Sequence, residues 1–351
     1  MSSSKDEASG DRMDTLGMWP AVNRMPEQML DALERSMELS GLPDRTEITN
    51  VLVLGMGPGG FAGDLLAVTA GPFMPLPIVV VKSYQPPSYV DEQTLVFALS
   101  ASGDTPEIVQ AAAQAAEAGG QVVAVTGGGQ LAKMANAWGA PLVEVDPMLY
   151  PPRAGLSVLT VAPMIILGQM GLFPGAAQWV RHAVDQVRRR RDTVREPAAA
   201  LARQLAGTVP LVYGGGGLGA AAARHWKNMI NTSAKAPAFS AGVPDLLHNE
   251  IAGWGQHGDL TRQVFSLVLL RHDHEHPEVM RGLDVLIDLM DEVVGAVHTV
   301  EAAGEGPVAQ IFDLMYQGSI TALELAAVVG LDPGPVPAIL AARQVLAGRS
   351  R

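Results

Sequence analysis

The sequence predicts an α/β protein made of two doubly wound parallel sheets, and two observations carry this prediction. Short apolar segments typical of buried strands alternate with longer segments of helical periodicity, the pattern of a parallel sheet covered by helices. In addition, a strand that runs into a glycine-rich turn and then a helix occurs over residues 50–69 and again over residues 209–231. This recurrence about half a chain apart indicates a duplicated domain.

Composition supports the same fold class and excludes several kinds of function. The chain has 351 residues, enough for two domains, and its 48% hydrophobic content, 38 glycines and 5% aromatic content fit an interior packed with Ala, Val and Leu. It contains no cysteine, which excludes disulfides, thiolate chemistry and sulfur-ligated zinc. A net charge of −12 argues against a general nucleic-acid-binding protein.

We expect neither a signal peptide nor a membrane span. The first residues, Met-Ser-Ser-Ser-Lys-Asp-Glu, lack the apolar region of a signal peptide. Residues 154–180 contain no charged residue, but Pro163, Gln169 and Pro174 interrupt them. We therefore predict a buried helix of an α/β domain there, and a cytoplasmic protein.

The alternation of patterns divides the chain into five segments. We predict a disordered tail over 1–14, a helical segment over 15–47, a first sheet domain over 48–175, a helical connector over 176–206, and a second domain with a C-terminal helix over 207–351. The predicted strands cover 50–54, 78–81, 95–100, 122–125, 142–145, 209–213 and 265–270. The predicted helices cover 18–39, 61–69, 109–118, 156–172, 220–231, 276–295 and 307–330. The run Arg188–Arg191 in the connector is interpreted as a solvated helix face.

The first glycine turn matches a dinucleotide-binding fingerprint only in part. Gly55, Gly57 and Gly60 satisfy G-x-G-x-x-G after a strand. The fingerprint also needs an acidic residue at the end of the next strand, to hold the ribose hydroxyls. That strand ends in Lys82-Ser83 instead. We therefore predict no nicotinamide cofactor.

A cluster of hydroxyls after the apolar run at 95–100 predicts an anion site. Ser100, Ser102 and Thr105 lie within six positions, and Pro106 then opens a helical pattern, where its missing N–H costs nothing. The free N–H groups and the dipole of a helix N-terminus attract an anion, and hydroxyls donate further hydrogen bonds. Alternatively, Thr105 is an ordinary N-cap and the serines are turn residues. Because three hydroxyls exceed the needs of one cap, we favour a phosphate site.

The order of motifs resembles a known family. A strand with a G-M-G turn and G-D-L-L is followed by S-x-S-G-x-T, T-G-G, P-P-R, a second strand with a glycine turn, R-x-W-K, A-K and H-N-E. This order is similar to that of the two-domain bifunctional phosphoglucose/phosphomannose isomerases, which are sugar isomerase (SIS) domain proteins, from about residue 51 to the C-terminal helix. The resemblance implies two flavodoxin-like three-layer SIS domains. It also implies conversion of glucose or mannose 6-phosphate to fructose 6-phosphate through an enediol, in a homodimer with the site between subunits and without metal or cofactor.

The resemblance also assigns site residues. It places the phosphate at Ser100, Ser102 and Thr105 with the glycine turn at Gly57 and Gly59. It places Arg153 near the sugar oxygens, and His248 as the ring-opening residue, supplied across the dimer interface. Taken singly, Arg153 could be a surface arginine, His248 a structural histidine and Glu250 a helix-start carboxylate; their family order favours the functional interpretation.

Three positions depart from the family pattern. Thr232 stands where the family has the glutamate that carries the proton between C1 and C2, and a threonine hydroxyl is too weak a base for this. Gly59 stands where a serine usually helps to hold phosphate, and Arg343 where a lysine follows D-P-x-P. The phosphate pocket is thus mostly kept, whereas the proton-transfer apparatus is not.

Two functions therefore remain open. The chain is either an active sugar-phosphate isomerase that uses another carboxylate, with Glu250, Asp245 and Glu107 as candidates, or a non-catalytic sugar-phosphate-binding protein that senses its ligand or partners another chain. Fold and phosphate binding fit both. We also predict a homodimer whose interface buries part of the apolar helices at 156–172 and 307–330, because they exceed the needs of one core.

Overall fold

The computed structural model describes residues 13–146 and 151–348, without the side chains of Pro152 and Ala347. It contains two parallel sheets with helices packed on them, as the alternating pattern predicts. The predicted tail over 1–14 lies outside the described residues except for Met13 and Asp14.

The first sheet has five parallel strands in the order β2-β1-β3-β4-β5. The strands are β1 Asn50–Gly55, β2 Ile78–Val81, β3 Thr94–Ser100, β4 Gln121–Thr126 and β5 Leu142–Glu144, and all five were predicted. Strand β3 is buried along its whole length, which explains its uninterrupted apolar sequence. The winding direction of the sheet reverses between β1 and β3. The carboxyl ends of these two strands therefore border the crevice where open α/β sheets bind ligands.

Helices cover both faces of this sheet. They are α1 Met18–Asn23, α2 Met25–Met37, α3 Pro58–Thr69, α4 Pro106–Glu117, α5 Gly129–Trp138 and α6 Leu156–Gln169. The single helix predicted over 18–39 is two helices that meet at Arg24, where Pro26 supplies no N–H to continue the first one. Helix α5 was not predicted, because the glycines before it were interpreted only as a turn.

The second sheet has four parallel strands in the order β7-β6-β8-β9. The strands are β6 Val209–Gly215, β7 Phe239–Val243, β8 Phe265–Arg271 and β9 Ala296–Glu301. The prediction missed β7 and β9, the two edge strands, because each is short and mixes polar with apolar residues. The remaining helices are α7 Ala176–Thr193, α8 Arg195–Leu205, α9 Gly216–Met229, α10 Gly258–Val264, α11 Pro277–Met290, α12 Gly306–Val328 and α13 Pro337–Gly348.

Helices α6 and α12 belong to one apolar core that both sheets share. Almost every residue of α6, including Pro163, is buried, and so is most of α12. The argument that these helices carry surplus apolar surface for a dimer interface is therefore wrong, since one chain already covers them. Within the described residues, no helix is both long and apolar enough to cross a membrane.

The two faces of the second sheet pack against different partners. Along β6, Val212 faces the shared core, whereas Leu211 and Tyr213 face a separate apolar cluster that includes residues of α11. This alternation follows from the two-residue period of a strand. The two clusters therefore identify the two sides of the second sheet, the shared-core side and the α11 side.

The arginine run of the connector is not simply a solvated face. Arg190 donates two hydrogen bonds of 2.7 Å to the carboxylate of Asp313, which is fully buried on α12. Arg191 donates to the carbonyl of Asn23 and to Glu27. The interpretation from sequence was wrong for these two arginines, because their partners lie more than 100 residues away.

Candidate active site

The predicted hydroxyl cluster lies at the carboxyl end of β3. The Oγ of Ser100 is 3.0 Å from the Oγ1 of Thr105 and accepts a hydrogen bond of 3.1 Å from the Gly103 N–H. Thr105 is the residue before the first turn of α4, yet its side chain accepts no hydrogen bond from that helix. The cluster therefore surrounds the N-terminus of α4 without capping it. Since Pro106 has no N–H and the Ile108 N–H donates to the Thr105 carbonyl, the groups that can bind an anion here are the hydroxyls and the Glu107 N–H.

The loop between β3 and α4 is held by the turn after β4. Gly103 has a φ of 71°, and a Cβ there would lie 1.8 Å from the carbonyl oxygen of Gly128, so only glycine fits. The carboxylate of Asp104 accepts a hydrogen bond of 2.9 Å from the Gln130 N–H. These contacts fix the backbone that presents Ser102, whose hydroxyl accepts from the Asp104 N–H at 3.3 Å.

The first glycine turn adjoins this loop. Gly55 pairs with Leu99 in the sheet, and a Cβ on Gly59 would lie 2.4 Å from the Leu99 carbonyl oxygen. Gly57 has a φ of 53° and open space beside it. The sheet thus brings the predicted phosphate-binding residues of β1–α3 and β3–α4 together at one edge.

Arg153 and Lys235 both bind the loop over residues 332–334, between α12 and α13. Lys235 was not among the predicted site residues. The Nη2 of Arg153 donates to the carbonyl oxygens of Pro333 and of Gly334, the latter at 2.8 Å. The Nζ of Lys235 donates to the Ser233 carbonyl at 2.9 Å and to that of Asp332. Partial burial and the nearby charge of Arg153 lower the pKa of Lys235. The A-K pair after N-T-S was the available signal for Lys235.

Asp332 anchors this loop to the N-terminal segment. Its carboxylate accepts hydrogen bonds from the N–H and the hydroxyl of Thr15, at 3.2 and 2.5 Å, and from the Gly334 N–H at 2.9 Å. Although burial acts in the opposite direction, these bonds hold the pKa of Asp332 below its usual value.

Thr232 lies on a single π-helical turn, Ile230–Ala234, that ends α9 just before Lys235. Its hydroxyl donates a hydrogen bond of 2.8 Å to the Asn228 carbonyl. None of the five residues of this turn carries a carboxylate. The turn packs against the shared core, on the same side of the second sheet as α9 and α12.

His248 lies elsewhere. It is exposed in the loop that follows β7, whereas Thr232 and Lys235 precede that strand. Leu246, Ile251 and Trp254 of this loop pack against the α11 side of the sheet. Within one chain, His248 and Thr232 therefore lie at opposite ends of β7 and on opposite sides of the sheet.

Comparisons with known proteins agree with this architecture. Residues 46–140 match the model of the SIS domain, and residues 194–346 match that of the bacterial phospho-glucose isomerase C-terminal SIS domain. A bifunctional phosphoglucose/phosphomannose isomerase of Caldicellulosiruptor bescii is 30% identical over 329 residues, which cover 92% of this chain and 96% of the relative. The chain belongs to the bifunctional phosphoglucose/phosphomannose isomerase family.

Further relatives and solved structures extend the comparison. The Aquifex aeolicus family member is 26% identical over 84% of this chain and 90% of its own. Tagatose-6-phosphate ketose/aldose isomerase from Escherichia coli has a TM-score of 0.71 at 16% identity, covering 91% of this chain and 95% of that one. The C-terminal domain of glucosamine-fructose-6-phosphate aminotransferase from Francisella tularensis has a TM-score of 0.69 at 11% identity, covering 92% and 98%. At these identities the two structures support the fold alone.

The R-x-W-K motif holds α9 against α3 of the first domain and against α12. The guanidinium of Arg224 on α9 donates a hydrogen bond of 2.8 Å to Asp64 on α3. Trp226 is fully buried and donates its indole N–H to the Leu314 carbonyl at 2.8 Å. A Cβ on Gly318 would lie 2.4 Å from this indole, which explains the glycine on α12. R-x-W-K and G-D are thus structural motifs in this chain.

The candidate replacement bases are not gathered around Thr232. Glu250 accepts a hydrogen bond from the hydroxyl of buried Tyr213, on the α11 side of the sheet. Burial and the bond to Glu250 raise the pKa of that tyrosine. Glu107 lies in the first turn of α4, where its charge raises the pKa of Tyr84, and Asp245 is exposed near His248.

Arg343 lies on α13, the most exposed helix of the fold. Every described side chain from 337 to 346 is exposed, including the apolar Ile339, Leu340, Val345 and Leu346. The helix begins directly after the loop that Arg153 and Lys235 hold. Among the described residues, Arg343 therefore makes no contact with the hydroxyl cluster of its own chain that would place it at the phosphate.

The second sheet has its own loop at the equivalent position. Strand β8, like β3, lies beside the first strand of its sheet and leads to a helix whose first residue is proline, Pro277. In this loop a side chain of the loop itself occupies the space before the helix. The carboxylate of Glu275 is buried there and accepts hydrogen bonds from the Arg271 Nε at 2.9 Å and from the His272 N–H at 3.2 Å. A Cβ on Gly215 would lie 3.1 Å from this carboxylate. An internal anion thus occupies the place that hydroxyls line in the first sheet.

Proposed function

We propose that this family member binds a sugar 6-phosphate, with its phosphate on Ser100, Ser102 and Thr105. The observation that carries the proposal is the Thr105 hydroxyl, which turns to Ser100 instead of capping α4. Pro106 has no N–H and the Ile108 N–H donates to the Thr105 carbonyl at 3.0 Å, so the Glu107 N–H is the first-turn amide left for a phosphate, beside the hydroxyls. Gly57 and Gly59 allow the backbone of the neighbouring turn to approach the same anion.

Arg153 is the residue we propose to contact the sugar. The turn that carries Arg153 packs against α3, the helix that begins at the glycine turn. This supports a role for Arg153 at the sugar oxygens. The reaction of the family, an aldose–ketose interconversion through an enediol, needs an acid and a base but no metal or cofactor. A role in sugar-phosphate metabolism agrees with the predicted cytoplasmic location.

A homodimer would complete the site. Because His248 and Thr232 lie on opposite sides of the second sheet of one chain, we infer that a second copy brings His248 to Arg153. The exposed apolar side chains of α13 support the same conclusion, because a 12-residue helix that buries little of its apolar surface is marginally stable. We propose that the site lies between two subunits and takes His248 from the partner.

A second function is favoured by the surroundings of Thr232. Its hydroxyl is bound to a helix carbonyl, and Glu250 is held by Tyr213 on the other side of the sheet. The π-helical turn has no carboxylate, so none of its residues can carry the proton between C1 and C2. This supports a non-catalytic sugar-phosphate-binding protein as the alternative to an active isomerase.

Three measurements on the full chain test these proposals. Calorimetric titration with fructose 6-phosphate should show binding, and its absence at millimolar ligand would refute the binding function. A coupled assay that follows glucose 6-phosphate from fructose 6-phosphate separates the enzyme from the binding protein. Light scattering at micromolar protein should give about twice the 36.8 kDa chain mass, and a monomer would refute the shared site.

A further inference from the structure

The loop that carries His248 is attached to the second sheet on both sides of this histidine. Two residues before it, Leu246 is buried in the apolar cluster on the α11 side of the sheet. Two residues after it, Glu250 accepts a hydrogen bond from the hydroxyl of Tyr213 on β6. His248 itself is exposed between these two attachments. The loop therefore presents the histidine outward from a short segment that is held at both ends.

Tyr213 provides a rigid end for the second attachment. Its side chain is fully buried, and its strand β6 pairs with β7 on one side and with β8 on the other. A buried hydroxyl needs a hydrogen-bond partner, and a carboxylate acceptor makes this bond stronger than a neutral one. Burial and the bond to Glu250 raise the pKa of Tyr213, so its hydroxyl keeps the proton that it donates at neutral pH.

The residues around Glu250 fix its place in the loop. The Asn249 side chain accepts a hydrogen bond of 2.6 Å from the Glu250 N–H, and so it caps the short 3₁₀ turn Glu250–Gly253. Trp254, which follows this turn, packs against the apolar cluster, where its ring meets Phe265 edge-on with the ring centroids 5.4 Å apart. The H-N-E motif thus combines an exposed histidine, a turn cap and an anchor to the sheet.

We infer that Tyr213 is a positioning residue, which acts through Glu250 to hold His248 where it meets the ligand. The inference rests on the proposed function, in which His248 reaches the sugar from the partner subunit. A side chain on a loop adds less affinity when the loop must first become ordered, because the ordering opposes binding. The bond between Tyr213 and Glu250 orders the loop in advance. The Glu250 carboxylate then serves as an anchor and not as the base.

The test compares fructose 6-phosphate with inorganic phosphate, which lacks the sugar that His248 would contact. In calorimetry on the full chain, Tyr213→Phe and His248→Ala should each weaken binding of fructose 6-phosphate by at least about fivefold, the effect of one hydrogen bond. Because both changes act on the same contact, the double variant should lie within about twofold of either single variant. Affinity for inorganic phosphate should change by less than about twofold in all three, since the phosphate site lies in the first domain.

Matched variants separate positioning from a general loss of structure. Glu250→Gln keeps an oxygen that accepts from the tyrosine hydroxyl and should retain the affinity, whereas Glu250→Ala should behave as Tyr213→Phe does. Tyr316→Phe removes another buried tyrosine hydroxyl, which donates to the Asn23 side chain at 2.9 Å, and should bind fructose 6-phosphate as the wild type does. If Tyr213→Phe does not fold, as judged by circular dichroism, Glu250→Ala breaks the same bond at an exposed position.

The outcomes distinguish this inference from the proposed function. Unchanged affinity for fructose 6-phosphate in Tyr213→Phe or Glu250→Ala, beside a loss in His248→Ala, would overturn the inference while the proposed function stood. Additive losses in the double variant, or equal losses for both ligands, would overturn it as well. If the wild type does not bind fructose 6-phosphate, or if His248→Ala binds it normally, the proposed function fails and the inference fails with it.

Discussion

The hydroxyl of Thr105 lies 3.0 Å from the hydroxyl of Ser100, and no amide of the helix that follows Thr105 donates to it. An ordinary N-cap threonine would accept a hydrogen bond from the second or third helical residue. The serine also accepts a hydrogen bond from the Gly103 N–H, so the pair is fixed before the first turn of α4, with one hydroxyl hydrogen left to donate. This relationship argues against the side-chain N-cap that the sequence had left open for Thr105, and it supports the anion-binding interpretation.

Replacing both Ser100 and Ser102 with alanine should weaken binding of fructose 6-phosphate. Each hydrogen bond to a charged group contributes about 1.5–3 kcal/mol, so the double variant should lose at least about tenfold in affinity, measured by calorimetry. Thr193→Ala, an exposed hydroxyl at the end of α7, serves as the control and should bind as the wild type does. Unchanged affinity in the double variant would place the phosphate elsewhere.

Gly59→Ser should not restore a family phosphate contact but should destabilise the fold. The new Cβ would lie 2.4 Å from the Leu99 carbonyl oxygen, so the backbone must shift, which typically costs about 1–3 kcal/mol. Gly217→Ser, in the second glycine turn, is a matched control because its Cβ would lie 3.4 Å from the nearest atom, on Val68. Urea unfolding should show a lower midpoint for Gly59→Ser alone. Equal midpoints would mean that the first turn is more adaptable than its contacts indicate.

The arginine run should contain one residue that matters for stability and one that does not. Arg190→Ala leaves the fully buried carboxylate of Asp313 without its cation, and breaking a buried pair in this way costs about 3–5 kcal/mol. Arg188→Ala removes only a loose surface pair, 3.8 Å from Asp185, and should change the free energy of unfolding by less than about 0.5 kcal/mol. Denaturant titration of both variants measures the difference. Similar losses of unfolding free energy in the two variants would show that the buried Arg190–Asp313 pair contributes no more than the surface pair.

Stability should fall as the pH falls below about 6.5, partly because of His225. Burial lowers the pKa of His225 from its usual value to about 4, while its Nε2 bonds the Ser319 hydroxyl. Between these values the unfolded chain binds a proton that the folded chain does not, so the free energy of unfolding decreases by up to about 1.4 kcal/mol per pH unit. His225→Gln should reduce the slope, and His257→Gln, at an exposed position, is the control. An unchanged slope for His225→Gln would contradict this account.

The first sheet and its crevice were predictable because local patterns determine them. Strand β3 is buried on both faces, so its apolar run is unbroken, and the hydroxyls that follow it stand out in the sequence. The edge strands β7 and β9 are half-exposed, and their mixed composition gives no such signal. Contacts between distant segments gave no signal either. Lys235 and Asp332 are 97 residues apart, and the bond of Glu250 to Tyr213 spans 37.

Thr232→Glu should raise isomerase activity from a low wild-type level. A positioned general base contributes about 10²–10⁴-fold to the rate, and the motif resemblance predicts that Thr232, on a turn without carboxylates, stands where the family has its base. The coupled assay with fructose 6-phosphate measures the gain. Because catalytic groups act as a unit, we expect the full effect to require Arg343→Lys as well. Gly59→Ser is not combined with these changes, because its Cβ would lie 2.4 Å from the Leu99 carbonyl oxygen and should destabilise the fold.

Thr232→Gln is the matched control for that experiment. It has the size and polarity of glutamate but no carboxylate to carry a proton, so it should stay at the wild-type rate. Loss of the Thr232 bond to the Asn228 carbonyl is common to both variants, and any effect of it on the turn cancels in the comparison. A wild type that already turns over at a rate typical of an isomerase, and loses it on Glu250→Gln but not on changes to Thr232, would show that the base has moved. The hydrogen bond that Glu250 accepts from Tyr213 argues against that outcome, because it ties this carboxylate to the second sheet of its own chain.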